Sequence, residues 1–153
     1  MDSLMEAEEN LREFRETIGS QKLYACFECG HCSACCPVKR IRQEFSPRKI
    51  IHMVLLDMLD ELISSNIVWY CTNCYLCQEL CPQGIRIADL ILELKNLSFK
   101  RGLSPDGIRR QFELLKTQGR IYLLDEFDQK KRKKAGLPQL RGSIDDLRVL
   151  LEG

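Results

Sequence analysis

Cysteine is the residue type in this sequence that points most directly to chemistry, because eight of the nine cysteines repeat one spacing. The pattern is C-x2-C-x2-C-x3-C-P, and its first copy contains Cys26, Cys29, Cys32 and Cys36. The second copy begins 45 residues later and contains Cys71, Cys74, Cys77 and Cys81. Thiolates ligate iron–sulfur clusters and zinc, so the repeat predicts metal centres.

The spacing favours iron–sulfur clusters over zinc ions. Three cysteines separated by two residues can surround one cluster from a single loop, whereas a zinc site usually takes two cysteines from each of two loops. In two-cluster ferredoxins the fourth cysteine, which precedes the proline, ligates the other cluster. We therefore predict two [4Fe–4S] clusters with crossed ligands. The first would be held by Cys26, Cys29, Cys32 and Cys81, and the second by Cys71, Cys74, Cys77 and Cys36.

Five other residues near the repeat need a separate interpretation. Cys35 has no counterpart in the second copy and is predicted to pack as a small apolar residue; a redox-active thiol, the alternative, requires exposure and a lowered pKa. His31 is not predicted as a ligand, because four cysteines already complete each site. His52 lies in an apolar helical run and is predicted to be a packed or surface residue of that helix. Trp69 and Tyr70 directly precede the second copy, where they either shield a cluster edge from water or pack in the core.

Helices are predicted to position both cysteine segments. Apolar residues recur at helical spacing over residues 4–18, 47–64, 87–101, 105–118 and 144–152. Gly102 is the expected stop of the third segment. No segment alternates convincingly as a strand does, and RIYLLDEF is a weak exception. We therefore predict an all-α fold, in which two CxxCxxCxxxCP loops lie between short helices.

The segment between the two copies distinguishes this fold from a small ferredoxin built on β-hairpins. It runs from Pro37 to Tyr70, and most of it is predicted to be one long helix. Ser46 is the expected N-cap, with Pro47 at the first helical position. A β-hairpin ferredoxin has no need of such an insertion, so the helix implies that helices hold each cysteine loop.

Three regions are predicted along the chain. Residues 1–25 form an N-terminal amphipathic helical extension, residues 26–102 the two-cluster domain, and residues 103–153 a helical and partly irregular tail that docks a partner. The net charge is −3 over residues 1–25 and +4 over residues 101–153. The total of only +1 argues against general binding of nucleic acid. The basic run KKRKK is expected to be solvated, with docking to an acidic neighbour as the alternative.

Several classes of protein are disfavoured by what the sequence lacks. No apolar stretch approaches the roughly 20 residues that cross a bilayer, and the acidic N-terminus does not resemble a signal peptide. We therefore expect a cytoplasmic protein, in which disulfides are rare. The sequence contains no G-x-G-x-x-G loop, and neither histidine lies beside an evident nucleophile. We predict no catalytic residues in this chain.

With both motifs in place, the sequence resembles the C subunit of heterodisulfide reductase and its relatives. The segments that carry the resemblance are CFECGHCSACCPV, SPRKIIHMVLL, WYCTNCYLCQELCPQGI and the GLP that follows the basic run. The cysteine pattern alone also occurs in iron–sulfur subunits of succinate, glycolate and glycerol-3-phosphate oxidising enzymes, which remain an alternative.

The resemblance implies an α-helical ferredoxin fold, with all eight repeat cysteines as cluster ligands. It also implies an electron-transfer subunit that relays single electrons between two other subunits of a heterodisulfide reductase complex. The donor would be a flavin-containing, bifurcating A subunit, and the acceptor a B subunit that reduces a disulfide. A zinc-stapled interaction module is the alternative from a different functional class.

Overall fold

The computed structural model describes residues 12, 14, 16 and 22–138. Within this part of the chain every regular element is a helix and no residue lies in a strand, which confirms the predicted all-α fold. The segment RIYLLDEF is therefore not a strand. The chain divides into two compact units, one that ends at Ser104 and one that begins at Pro105.

The unit that ends at Ser104 contains both cysteine segments. Its described α-helices are α1 (His31–Ala34), α2 (Pro37–Ile41), α3 (Pro47–Leu55), α4 (Leu59–Ser64), α5 (Leu76–Glu79) and α6 (Ile87–Lys100). Two 3₁₀ helices span Leu23–Ala25 and Asn66–Tyr70. The three described residues near the N-terminus, Arg12, Phe14 and Glu16, are helical. The rest of the predicted helix at residues 4–18 lies outside the described residues.

The start of the long helix predicted after the first motif is confirmed. The Ser46 hydroxyl accepts the backbone N–H of Lys49 at 3.4 Å, and Pro47 takes the first position of α3. A hydroxyl at the N-cap satisfies one of the N–H groups that the first helical turn leaves without a partner.

The predicted length of that helix is wrong, because a break after Leu55 separates α3 from α4. Asp57 has φ +58°, and the N–H of Met58 donates to the Met53 carbonyl at 2.8 Å. The N–H of Asp57 donates to the Val54 carbonyl at 3.1 Å. These two bonds form a Schellman C-cap with aspartate in the left-handed position that glycine usually takes. Apolar residues keep their helical spacing through the break, so the periodicity does not reveal it.

The second long helix, α6, lies at the centre of the core. The five apolar residues that the sequence places on one face are all 3% exposed or less: Ile87, Leu90, Ile91, Leu94 and Leu97. The helix packs against α3, α4, α5 and the second 3₁₀ helix. It ends as predicted at Gly102, which has φ +68°. Burying each large apolar side chain stabilises the fold by about 1.5–3 kcal/mol.

The unit that begins at Pro105 contains α7 (Asp106–Gln118) and α8 (Glu126–Lys134) among its described residues. Helix α7 confirms the helix predicted over residues 105–118, and Gly119 ends it with φ +65°. The basic run lies in the last two turns of α8. The predicted helix at residues 144–152 lies outside the described residues. None of the described helices has the length and apolar character that crossing a membrane requires.

The central position of α6 predicts that two leucines on this helix contribute differently to stability. Replacing Leu94, which is 0% exposed, with alanine should lower the free energy of unfolding by about 2–5 kcal/mol, because it leaves a cavity. Leu92 lies on the same helix but is 37% exposed, and Leu92→Ala should cost about 1 kcal/mol or less. Denaturant unfolding of anaerobically prepared protein measures both. Equal losses would show that α6 does not form the core.

Candidate metal centres

The two cysteine loops share their backbone structure as well as their spacing. A 3₁₀ helix ends directly before the first cysteine of each copy. The N–H of Cys26 donates to the Leu23 carbonyl at 3.1 Å, and the N–H of Cys71 donates to the Val68 carbonyl at 3.3 Å. Leu23 and Val68 are buried, so each loop enters from an anchored turn.

Left-handed residues flank the second cysteine of each loop. Glu28 (φ +62°) and Asn73 (φ +52°) precede it, and Gly30 (φ +80°) and Tyr75 (φ +62°) follow it. Each pair is 45 residues apart, like the cysteines. Because a left-handed residue reverses the local course of the backbone, two of them wrap the loop tightly around the space in front of it.

Short helices carry the third cysteine of each copy into the interior. Cys32 lies in α1 and Cys77 in α5, and the two side chains are only 7% and 8% exposed. Helices α1 and α5 pack against each other, α1 also packs on α3, and α5 also packs on α6. This packing places the two loops face to face, so a cysteine at the end of one copy can reach the other.

One cavity is lined by thiols from both copies. Its cysteines are Cys26, Cys29, Cys32 and Cys81. The first three come from the first copy, and the fourth comes from the second. The apolar side chains of Ile51, Ile85 and Ile87 complete part of the wall. This is the arrangement expected for the first of the two predicted clusters.

The other four cysteines of the repeat also lie near one another. Burial raises the pKa of Cys77 to about 12, and the nearby thiols of Cys71, Cys32, Cys35 and Cys36 contribute to this increase. Burial likewise raises the pKa of Cys71, to which Cys36 and Cys74 add. Cys36 from the first copy is therefore close to the thiols of the second copy.

Cysteine thiols this close together are suited to binding a metal centre. In the first group burial raises the pKa of Cys32, a hydrogen bond from Ser33 lowers it, and the thiols of Cys26, Cys29 and Cys81 raise it. Thiolates so close together need positive charge between them, which a metal provides as the thiols lose their protons. None of the nine cysteines forms a disulfide. Among the described residues, no group of three or more His, Cys, Asp or Glu side chains is placed to bind a single metal ion.

Backbone N–H groups also point at two of the sulfur atoms. The N–H of Asn73 donates to Cys71 Sγ and that of Ile85 donates to Cys81 Sγ, each at 3.4 Å. Hydrogen bonds of this type stabilise the thiolate and help to set the reduction potential of an iron–sulfur centre.

A polar side chain from α3 holds the first loop. Arg48 Nη1 donates to the Glu28 carbonyl at 3.1 Å. The Ser33 and Ser46 hydroxyls are 2.9 Å apart, and the backbone N–H of Arg48 donates to Ser33 Oγ at 3.2 Å. Ser46, which caps α3, therefore also ties that helix to Ser33 of the first loop.

A lysine from α6 holds the second loop. Lys95 Nζ donates to the Cys71 carbonyl and to Asn73 Oδ1, at 2.7 Å each, and lies 5.9 Å from the centre of the Trp69 ring. Burial lowers the pKa of Lys95, and the neighbouring Cys71 raises it. Sequence reasoning did not identify Arg48 or Lys95. The signal for Lys95 was a charged residue close to the apolar face of α6.

The residues that the sequence left open have defined surroundings. Cys35 is half-buried, its thiol donates to the Cys32 carbonyl at 3.5 Å, and burial raises its pKa. A raised pKa disfavours the redox-active alternative, which requires a lowered one. His31 is exposed and lines the first cavity, while His52 Nε2 lies 3.4 Å from Glu28 Oε1.

The two aromatic residues before the second copy make contacts typical of packing. Trp69 Nε1 donates to Ser98 Oγ at 3.4 Å, and Ser98 Oγ donates to the Ile63 carbonyl at 2.9 Å. The Arg42 guanidinium lies 5.2 Å from the centre of the Tyr70 ring. Both aromatic side chains are half-buried against the core, which favours the packing interpretation.

Comparison with known proteins identifies relatives that match most of the chain. Residues 21–85, which include both cysteine copies, match the family described as a 4Fe-4S dicluster domain. The chain is 33% identical over 141 residues to the iron-sulfur C subunit of the CoB–CoM heterodisulfide reductase of Methanopyrus kandleri. That match covers 92% of this chain and 71% of the relative.

Two further relatives carry related names. The C subunit of the ferredoxin:CoB-CoM heterodisulfide reductase of Methanosarcina mazei is 35% identical over 128 residues, 84% of this chain and 78% of the relative. A protein of Archaeoglobus profundus, named as similar to the C subunit of heterodisulfide reductase, is 27% identical over 158 residues. That match covers 96% of this chain and 81% of the relative.

The shared loop backbone predicts that substitutions at two matched positions, Gly30 and Tyr75, affect stability differently. Gly30→Ala should lower the free energy of unfolding by about 1 kcal/mol, because a Cβ strains a left-handed residue. The added Cβ would lie 3.5 Å from Arg48 Nη1, an ordinary contact distance. Tyr75→Gly relieves the same strain in the second loop and should cost less than Gly30→Ala. Denaturant unfolding measures both, and a larger loss for Tyr75→Gly would contradict the shared backbone.

Proposed function

Since this chain belongs to the family of heterodisulfide reductase C subunits, we propose that it relays electrons inside a complex of that type through two [4Fe–4S] clusters. Members of this family are iron–sulfur electron-transfer subunits. The observation that carries the proposal is the cavity in which Cys81 of the second copy lines the wall with Cys26, Cys29 and Cys32 of the first.

The proposed ligands are the eight cysteines of the repeat. One centre is held by Cys26, Cys29, Cys32 and Cys81, and the other by Cys71, Cys74, Cys77 and Cys36. The thiols of each set lie near one another, which supports the crossed assignment. Because each set draws on both copies, the centres are held close together, as electron transfer between them requires.

When bound, each cluster accepts and releases one electron at a time. The chain's own residues hold the cysteines in place, exclude water and set the charge around them. Ile51, Ile85 and Ile87 cover the first site with apolar surface. The N–H groups of Asn73 and Ile85 donate to ligand sulfur atoms. Burial and hydrogen bonding of this kind adjust the potential of an iron–sulfur centre.

The proposed partners are an A-type and a B-type subunit of the same complex. The names of the relatives designate a subunit of a heterodisulfide reductase, which supports a place in a larger assembly. We propose that electrons enter from a flavin-containing, bifurcating A-type subunit. They leave to a B-type subunit that reduces a disulfide, so this chain has no catalytic residues.

Metal analysis tests the cofactor. Protein purified without oxygen should be brown and contain about eight iron and eight sulfide per chain, as two [4Fe–4S] clusters require. Iron determination, sulfide determination and the electron paramagnetic resonance (EPR) spectrum of the reduced protein measure this. A colourless, folded protein that contains zinc would support an interaction module instead and would overturn the proposal.

Three serine variants test the crossed ligands. Cys36→Ser should change the same EPR signal as Cys74→Ser, because both residues are assigned to the second centre. Cys29→Ser, at the position that matches Cys74 in the first copy, should change the other signal. If Cys36→Ser instead gave the spectrum of Cys29→Ser, each copy would hold its own cluster and the crossed assignment would be wrong.

A further inference from the structure

Each cysteine loop is held by a cation from the longer helix that follows it. Arg48 of α3 donates to the backbone carbonyl of Glu28. Lys95 of α6 donates to the side-chain oxygen of Asn73 and to the Cys71 carbonyl. Glu28 and Asn73 occupy the same position in the two copies of the repeat. Arg48 and Lys95 therefore hold the two loops at the same position of the repeat, although the residues at that position differ.

The two cations differ in their exposure to water. Arg48 is exposed, whereas Lys95 is half-buried. Burial lowers the pKa of Lys95. Its hydrogen bonds to two oxygen atoms at 2.7 Å each and its position near the face of Trp69 oppose this by favouring the protonated form. Because less solvent screens it, the charge of Lys95 acts more strongly on its neighbours than an exposed charge does.

Each loop has one carboxylate, but at a different place in the repeat. Glu28 places a carboxylate on the first loop, with its Oε1 3.4 Å from His52 Nε2, and this negative charge partly offsets Arg48. Asn73 is neutral, so the second loop has no such offset at the matching position. Its own carboxylate, Glu79, is exposed and lies at the end of α5. Asp89, which accepts a hydrogen bond from Gln78 of α5, is paired with Arg86 at 2.7 Å. The charge of Lys95 therefore lies beside Cys71 and neutral Asn73 without a carboxylate at that position to offset it.

We propose that this difference makes the centre held by Cys71, Cys74, Cys77 and Cys36 easier to reduce than the other, with Lys95 as the positioning residue that stabilises the added electron. The inference rests on the proposed function, since it presumes both clusters. Reduction adds one negative charge to a centre, and a nearby cation with little screening favours it. An electron that arrives at the first centre then moves to the second within the chain.

Variants of Lys95 test the proposal. Lys95→Met removes the charge but keeps an unbranched side chain, and Lys95→Arg keeps the charge. Lys100→Met is the matched control, because Lys100 is an exposed lysine on the same helix. The measurement is an anaerobic redox titration followed by EPR, with the two signals assigned through the Cys29→Ser and Cys74→Ser proteins.

In the wild-type protein the second centre should have the higher potential. Lys95→Met should lower its equilibrium constant for reduction by about tenfold, which corresponds to about 59 mV for one electron. The first centre should change much less. Lys95→Arg should restore most of the shift, and Lys100→Met should leave both potentials close to the wild-type values. Arginine keeps both the charge and a hydrogen-bond donor, so a variant that leaves Lys95 in place is needed to separate the two.

A second variant tests the same charge without removing Lys95. Asn73→Asp gives the second loop the carboxylate that the first loop has, and aspartate tolerates the left-handed backbone. It should lower the potential of the second centre in the same direction as Lys95→Met. Unchanged second-centre potentials in an iron-loaded Lys95→Met or Asn73→Asp protein would overturn this inference alone. A wild-type protein without iron would overturn the proposed function as well.

Discussion

The packing of α1 against α5 is the contact on which the rest of the site depends. It presses the two cysteine-bearing helices together, so that Cys32 and Cys77 are buried between the two copies of the repeat. Burial and mutual proximity raise the pKa values of these thiols. Deprotonating eight thiols in so small a space has an electrostatic cost, which bound metal would offset. The core around α6 holds them there despite that cost.

The two halves of the site are alike in backbone and different in side chains. Both loops follow a 3₁₀ helix anchored by one buried residue, Leu23 or Val68, and pass through left-handed residues on either side of the second cysteine. Their flanking charges diverge, with Glu28 and exposed Arg48 at the first loop and Asn73 and half-buried Lys95 at the second. The shared backbone presents the cysteines of the two loops alike, and the differing side chains would give each proposed centre its own electrostatic environment.

Much of this structure could be predicted from the sequence, because the decisive features are local. Ser46 with Pro47 predicts where α3 begins, and Gly102 predicts where α6 ends. The break at Asp57 could not be predicted, since aspartate there takes a position that usually needs glycine. The loop contacts of Arg48 and Lys95 depend on which helices pack together, information that spacing along the chain does not contain.

The central claim is that each centre draws its four thiols from both copies of the repeat. Anomalous scattering at the iron edge, from crystals grown without oxygen, locates the iron atoms directly. Our account predicts two separate four-iron sites, with Cys81 bonded to the one that also binds Cys26, and Cys36 bonded to the other. Iron bonded to Cys26 and Cys36 within one site, with Cys81 at the other, would contradict it.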